Sequence, residues 1–164
     1  MNFLDKLCEG FKIVELVESK SDDQKRLEDI YSILTMDLPT ECKFILENYE
    51  VVTIEIPSPK GYGVAISLLG TYTFLDNLRT LKEDYSIDIT GDVIPIGSDL
   101  GELLYLYGTG NEGVGLYLAF DGDLDKNEYV KLADSISDFF CKGIGIDKLI
   151  WWSSWQRSRK KVIK

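Results

Sequence analysis

The sequence contains no histidine among its 164 residues. This absence excludes Ser-His-Asp and Cys-His catalysis, histidine-based metal sites and the usual switch near neutral pH. An enzyme built on this chain would have to use carboxylates, tyrosine, lysine or cysteine. Cysteine is also scarce: Cys8, Cys42 and Cys141 are widely spaced and form no Cys-x-x-Cys pair. We therefore predict free thiols in a reducing compartment, without a disulfide framework or a zinc site.

Long apolar runs are missing as well. None approaches the roughly 20 residues that a membrane-spanning helix needs, and residues 1–5 lack the basic start of a signal peptide. These two absences predict a cytoplasmic protein with no membrane association.

The residues that are present predict one globular domain. Hydrophobic residues make up 45% of the chain and aromatic residues 12%, which is enough to form a core. The net charge of −10 is unevenly distributed, because residues 151–164 contain five bases and no acid. Residues 1–150 are left with 13 bases against 28 acids, a net charge of −15. So acidic a body should repel nucleic acid and attract basic partners, although acidity also serves solubility alone.

Periodicity predicts an α+β fold, with helices packed against a mostly antiparallel sheet of about five or six strands. Helical spacing predicts helices over residues 2–18, from the capping box of Ser21 and Gln24 to the Leu38-Pro39 step, from about Thr40, over 73–85 and from Tyr129 to about Gly143. Strands are predicted over residues 51–56, 63–69, 93–96, 102–107 and 114–120. No linker divides the chain, so residues 1–164 form one domain, with a core over about 24–142 and a Trp-rich basic extension over 144–164.

Two local motifs have a turn as their better interpretation. Residues 108–113 match the G-x-G-x-x-G string of dinucleotide-binding folds, but the residues that follow predict a strand where that mechanism needs a helix. A hairpin turn is therefore expected. Residues 121–127 resemble the first half of an EF-hand loop, but Lys126 and Leu132 occupy the places of its glycine and bidentate glutamate. We predict a polar turn there, and no metal or cofactor in the protein.

The C-terminal residues combine Trp151, Trp152 and Trp155 with the five bases. Aromatics plus bases suit a nucleic-acid or membrane patch. A terminal strand or helix that docks the three tryptophans and leaves a solvated basic end is the favoured interpretation.

Five segments follow one another in a recognisable order. They are Leu38-Pro39 before the short helix at 42–46, then Asp-Val-Ile-Pro-Ile-Gly-Ser-Asp-Leu-Gly at 92–101, Leu-Tyr-Leu at 104–106, Gly-Leu-Tyr at 115–117 and the segment 132–140. Taken in this order, the segments resemble the SUKH superfamily, which includes yeast Smi/Knr cell-wall regulators and many bacterial immunity proteins. The chain departs from the family where Tyr49 follows Asn48 and where Glu102 replaces a common glycine.

The resemblance implies a domain that binds proteins and has no catalytic site or obligatory cofactor. Bacterial members block secreted toxins, often nucleases, so the expected partner is a basic toxin domain. The acidic composition agrees, since an acidic surface can occupy a basic nucleic-acid cleft. Exposed aromatics and carboxylates would form the contact, and the predicted contact residues are Asp99, Glu102, Tyr105, Tyr107, Glu112, Asp121, Asp123 and Asp125.

Two alternatives remain open at this stage. One is a regulatory or scaffold module without a toxin partner, as the yeast relatives suggest. The other is a carboxylate-based enzyme or small-ligand binder, which would need a deep pocket with clustered acids. The sequence leaves the choice between a monomer and a homodimer undecided.

Overall fold

The computed structural model describes residues 2–20, 23–34, 37–56, 64–68, 93–99, 103–120 and 126–151. The strands are β1 (Lys12–Glu18), β2 (Tyr49–Ile56), β3 (Val64–Leu68), β4 (Val93–Ser98), β5 (Leu103–Gly110), β6 (Gly113–Phe120) and β7 (Val130–Ala133). The α-helices in this part of the chain are α1 (Asp23–Ile33), α2 (Thr40–Asn48), α3 (Ile136–Phe140) and α4 (146–151), with single 3₁₀ turns at Leu4–Lys6 and Lys126–Glu128. None of these helices is long and apolar enough to cross a membrane.

The seven strands of the described residues form one sheet, in the order β1-β2-β3-β4-β5-β6-β7, and every neighbouring pair is antiparallel. The α+β class with an antiparallel sheet is confirmed, but seven strands exceed the five or six predicted. The additional strands are β1 and β7, which lie at the two edges of the sheet.

Burial patterns explain why the central strands could be located from sequence. Strands β2 and β3 alternate between buried and half-buried residues, as expected for strands packed tightly on one face only. Strands β4 and β5 are instead buried almost without interruption, so both of their faces lie in the core. A short run of apolar or β-branched residues predicts a strand whether apolar and polar residues alternate in it, as in β2 and β3, or the run is continuously apolar, as in β4 and β5.

The predicted helix over residues 2–18 is wrong. Residues Leu4–Lys6 form a single 3₁₀ turn, and Lys12–Glu18 form β1, which pairs with β2. The β-branched side chains of Ile13, Val14 and Val17 favour an extended backbone. The helical spacing of Phe3, Phe11 and their neighbours is accounted for by packing: both phenylalanines are buried, although no helix joins them.

The predicted single helix from Tyr129 to about Gly143 is also wrong. Residues Val130–Ala133 form β7 beside β6, and a helix begins only at Ile136. The break is made by Ser135, whose backbone is extended and whose Oγ accepts a hydrogen bond from the amide of Asp138 at 3.0 Å. A serine in this geometry is a helix N-cap, so it starts a new helix rather than continuing one.

Helices α1 and α2 lie where they were predicted. α1 ends at Ile33, before the Leu38-Pro39 step, and α2 begins at Thr40 directly after that proline. Ile45 and Leu46 are the buried residues of α2, while Phe44 and Tyr49 are half-buried and contact each other edge-on. Ser21, the predicted N-cap of α1, and the helix predicted over 73–85 lie outside the described residues. So do residues 121–125 of the polar turn predicted over 121–127, while Lys126–Glu128 form a 3₁₀ turn.

Four phenylalanines connect the N-terminal segment to the helix that follows β7. Phe11 lies 5.4 Å from Phe139 and 5.3 Å from Phe140, measured between ring centroids, and Phe3 meets Phe140 edge-on at 5.8 Å. The backbone amide of Cys8 donates to the carbonyl of Phe140 at 2.9 Å. This aromatic cluster (Phe3, Phe11, Phe139 and Phe140) joins two regions that are distant in the sequence.

We expect Phe140→Ala to reduce the free energy of unfolding by about 3–5 kcal/mol, because it removes a buried ring and leaves a cavity among the other three. Denaturant-induced unfolding measures the loss. Ile144→Ala is the control: that side chain is 50% exposed, so its truncation should cost under about 1 kcal/mol. Equal losses in the two variants would contradict a central role for the cluster.

Candidate functional site

Four of the eight predicted contact residues lie in the described part of the chain: Asp99, Tyr105, Tyr107 and Glu112. Glu102, Asp121, Asp123 and Asp125 lie outside the described residues. The four that are described do not form one surface, and each has a different structural role.

Asp99 holds the connection between β4 and β5. One of its carboxylate oxygens, Oδ1, accepts a hydrogen bond from the amide of Leu103 at 2.8 Å, and its own amide donates to the carbonyl of Leu103 at 3.1 Å. Aspartate side chains commonly accept a hydrogen bond from a nearby backbone amide. The half-buried Asp99 therefore ties the end of β4 to the start of β5.

Tyr105 is not a surface residue. Its side chain is 0% exposed in the middle of β5, and its hydroxyl has no hydrogen-bond partner among the described residues. Burial, together with the nearby Asp99 carboxylate, raises the pKa of this hydroxyl far above its ordinary value. The prediction that Tyr105 contacts a partner is wrong, because no partner can reach it without unfolding the strand.

The hairpin between β5 and β6 confirms that residues 108–113 form a turn. Gly110 pairs with Gly113, and Asn111 and Glu112 form the loop between them. The hydroxyl of the buried Tyr117 accepts a hydrogen bond from the amide of Glu112 at 3.1 Å and donates to the carbonyl of Gly113 at 2.6 Å. A side chain at Gly110 would overlap the Tyr117 ring, so glycine is required there for this ring to reach the turn.

Glu112 is exposed at the tip of this hairpin, and Tyr107 is half-buried on β5. The backbone carbonyl of Glu112 accepts a hydrogen bond from Nζ of Lys131 at 3.2 Å. Lys131 also forms an ion pair with Asp134 at 2.7 Å, which raises the pKa of Lys131 and lowers that of Asp134. The hairpin tip is therefore held by β7, and the carboxylate of Glu112 faces solvent.

A polar groove lies between the end of α1 and the outer face of α2. It encloses about 410 Å³ and is lined by Tyr31, Leu34, Asp37, Leu38, Lys43 and Glu47. The hydroxyl of Tyr31 donates to a carboxylate oxygen of Glu47 at 3.0 Å and connects the two helices. Burial, and then the Glu47 carboxylate, raise the pKa of Tyr31 to about 12, so this tyrosine is a hydrogen-bond donor at neutral pH.

The surroundings of the α1–α2 groove are acidic. Residues 23–48 contain six acids and three bases, and Glu28, Asp29, Asp37 and Glu47 are all exposed. Sequence reasoning missed this site because its residues come from two helices and the loop between them. The sequence did contain one indication of this site. Leu38-Pro39 separates two short predicted helices, and both helices carry acidic residues.

The cysteines are free thiols, as predicted. Burial, reinforced by the carboxylate of Glu41, raises the pKa of the Cys42 thiol, and burial raises that of Cys141. Both thiols are therefore protonated at neutral pH, and a protonated thiol is a poor nucleophile. In the described part of the chain, no three acidic or cysteine side chains are grouped so that they could hold a metal ion.

The C-terminal helix differs from its prediction. Leu149, which is 0% exposed, docks α4 on the core, while Trp151 is 60% exposed. The docking of Trp151 predicted from the sequence is wrong, because this side chain is mostly exposed. Trp152, Trp155 and the basic residues that follow lie outside the described residues.

No protein-family model matches the chain, and no curated protein is significantly similar to it.

Two buried tyrosines on neighbouring strands provide a matched pair of variants. Tyr117→Phe should lower the free energy of unfolding by about 1–2 kcal/mol, because it removes both hydrogen bonds to the hairpin turn. Tyr105→Phe should leave stability unchanged or increase it by up to about 1 kcal/mol, because the deleted hydroxyl is buried without a described partner. Equilibrium unfolding of the two variants tests both expectations, and a larger loss in Tyr105→Phe would contradict them.

Proposed function

We propose that this chain is a protein-binding domain of the SUKH type, acting as a bacterial immunity protein that binds and neutralises a toxin with a basic surface. The observation that carries the proposal is the acidic groove between α1 and α2, on a chain whose net charge is −10. The sequence resemblance is the reason for proposing this family. The groove is the proposed contact surface for the toxin.

The segments that carry the resemblance occupy related positions in the fold. Leu38-Pro39 leads directly into α2, residues 93–98 are β4, residues 104–106 and 115–117 lie on the adjoining strands β5 and β6, and residues 132–140 cover the end of β7 and α3. Most of the described residues in these segments are buried. This placement supports a shared fold, since core segments specify packing more than partner choice.

Electrostatics supports a basic partner. A nuclease must present positive charge to the phosphates that it cleaves, so its cleft attracts carboxylates. The exposed acids beside the groove would then speed encounter and occupy the surface that nucleic acid needs. A bound acidic domain inhibits by exclusion and requires no chemistry of its own.

The groove also has the mixture of residues found at energetically important contacts. Tyr31 and Leu34 supply an aromatic ring and an aliphatic side chain to a groove that is also lined by two carboxylates and one ammonium group, those of Asp37, Glu47 and Lys43. Tyrosine is enriched among the few interface residues that dominate binding energy. A basic side chain of the toxin could lie between the two carboxylates while its aliphatic part packs on Tyr31.

Co-expression with the product of the neighbouring gene tests the proposal directly. We expect that product to be toxic alone, to be neutralised by this chain, and to co-purify with it. Because steering by opposite charges is screened by salt, the association rate should fall as ionic strength rises. A neighbouring product that is harmless when expressed alone, or whose toxicity this chain leaves intact, would overturn the proposal.

Charge reversal tests the location of the contact. Asp37→Lys combined with Glu47→Lys should slow association about tenfold or more at low ionic strength, because it inverts the field at the groove. The matched control is Glu9→Lys with Glu128→Lys, which makes the same change in net charge at exposed positions elsewhere. Glu112→Lys examines the hairpin tip separately. If the control pair slows association as much as the groove pair, the groove is not the contact surface.

A further inference from the structure

The segment before β1 is bonded to the end of α3 close to two of the three cysteines. The backbone amide of Cys8 donates to the carbonyl of Phe140 at 2.9 Å, and Cys141 is the residue that follows Phe140. The described backbone has no cis peptide bond. Ordinary bond lengths across this hydrogen bond and one trans peptide unit therefore place the Cα atoms of Cys8 and Cys141 at most about 7 Å apart.

This separation suits a disulfide bond. Bridged cysteines usually have Cα atoms about 4.4–6.8 Å apart, and a pair more than about 7 Å apart can be joined only if the backbone moves. Cys8 and Cys141 lie near opposite ends of the sequence, so their spacing along the chain does not indicate a pair. The folding of the N-terminal segment onto α3 brings them together.

The thiol of Cys8 lies against the turn that follows Cys141. A Cβ atom placed on Gly143 would be 3.4 Å from Sγ of Cys8. The amide of Gly143 donates to the carbonyl of Phe139 at 3.1 Å, which closes this turn. Burial, and then the Glu41 carboxylate, raise the pKa of Cys141, and the Cys8 thiol adds to the rise because it lies nearby.

Both thiols of this pair are accessible to small molecules, because Cys8 and Cys141 are only half-buried. Cys42 lies on a different element, α2, and lines an apolar cavity together with Phe3 and Phe140. The backbone hydrogen bond and the glycine contact that bring Cys8 towards Cys141 do not involve Cys42. It is therefore the control thiol within the same chain.

We propose that Cys8 and Cys141 are a redox-sensitive pair, which a low-molecular-weight disulfide such as oxidised glutathione converts into an intramolecular disulfide bond. One protein thiolate attacks a sulfur of oxidised glutathione, forms a mixed disulfide and expels one glutathione. The second protein thiolate attacks the protein sulfur of that mixed disulfide and expels the other glutathione. Two protein thiols are oxidised, one glutathione disulfide is reduced, and the two protons pass to the released glutathione thiolates.

The bond reinforces an arrangement that aromatic packing already makes. Phe3 and Phe11 flank Cys8 in the sequence, and both pack on Phe140. A disulfide that closes a long loop stabilises the folded chain mainly by restricting the unfolded one. Oxidation should therefore hold the N-terminal segment on α3 more firmly. The pair does not depend on a toxin, so it can be present or absent whether or not the proposed function is correct.

Equilibration of the purified full-length chain in glutathione buffers of increasing oxidised fraction tests the proposal. We expect a product that is lighter by two hydrogen atoms, in which peptide mapping without reduction finds Cys8 joined to Cys141 and Cys42 free. Protonated thiols react slowly, so incubation continues until the composition is constant. Glutathione adducts without an internal bond, a bond to Cys42, or three thiols that stay free at the highest oxidised fraction would overturn the proposal.

Serine variants test the effect of the bond on stability. Oxidation should raise the urea midpoint of the unmodified chain and of Cys42→Ser by about 1 M or more. The same treatment should leave the midpoints of Cys8→Ser and Cys141→Ser nearly unchanged, because neither variant can form the bond. Circular dichroism verifies that each variant is folded, and the peptide map of the unmodified chain requires no variant. If Cys8→Ser retains the full midpoint shift, the proposed pair is wrong.

Discussion

The packing of Phe3 and Phe11 against Phe139 and Phe140 is the contact on which the arrangement of the chain depends. Phe11 directly precedes β1, and the two later phenylalanines belong to the helix that directly follows β7. The cluster therefore brings together the segments that flank the two edges of the sheet. Phe3 and Phe140 also lie beside Leu68 and Ile96, so the cluster packs on the central strands as well. Because aromatic rings bury large areas, this one contact positions both β1 and the helices that complete the core.

The two edge strands of the sheet differ in how much of their surface other segments cover. At β7, Gly145 and Lys148 approach the strand and one of its carbonyl groups is used. At β1, Ile13, Val14 and Leu16 remain partly exposed. The α1–α2 groove is a third kind of surface, with exposed carboxylates beside it. The structure thus separates a charged groove from a partly exposed apolar edge of the sheet.

The central part of the fold was predictable and the edges were not. β2 through β6 are short apolar or alternating runs bounded by glycine, proline and polar residues, and such runs predict strands wherever they lie. β1 and β7 are edge strands, and each pairs with only one other strand. Their sequences are therefore less constrained by the sheet. In both segments the apolar residues also have a spacing that suits a helix. Val14 and Val17 have a spacing that suits one face of a helix, and their β-branched side chains also suit a strand. Pairing with β2 stabilises the extended backbone of this segment. At β7, Ser135 was a readable N-cap, since a serine three residues before Asp138 is typical of a helix start.

Composition alone determined the net charge of the chain and the lack of histidine chemistry, because these depend on residue type alone. Local patterns determined the α+β class, the central strands and the hairpin at Asn111 and Glu112. The three-dimensional arrangement was needed to show that Tyr105 is buried while Tyr107 is half-buried, that Asp99 bonds to the start of β5, and that Tyr31 and Glu47 join two helices in one groove. The physical reason is that burial and proximity are properties of pairs of segments. A single residue carries its chemistry in its side chain, but its neighbours in space come from parts of the chain that its own sequence context does not contain.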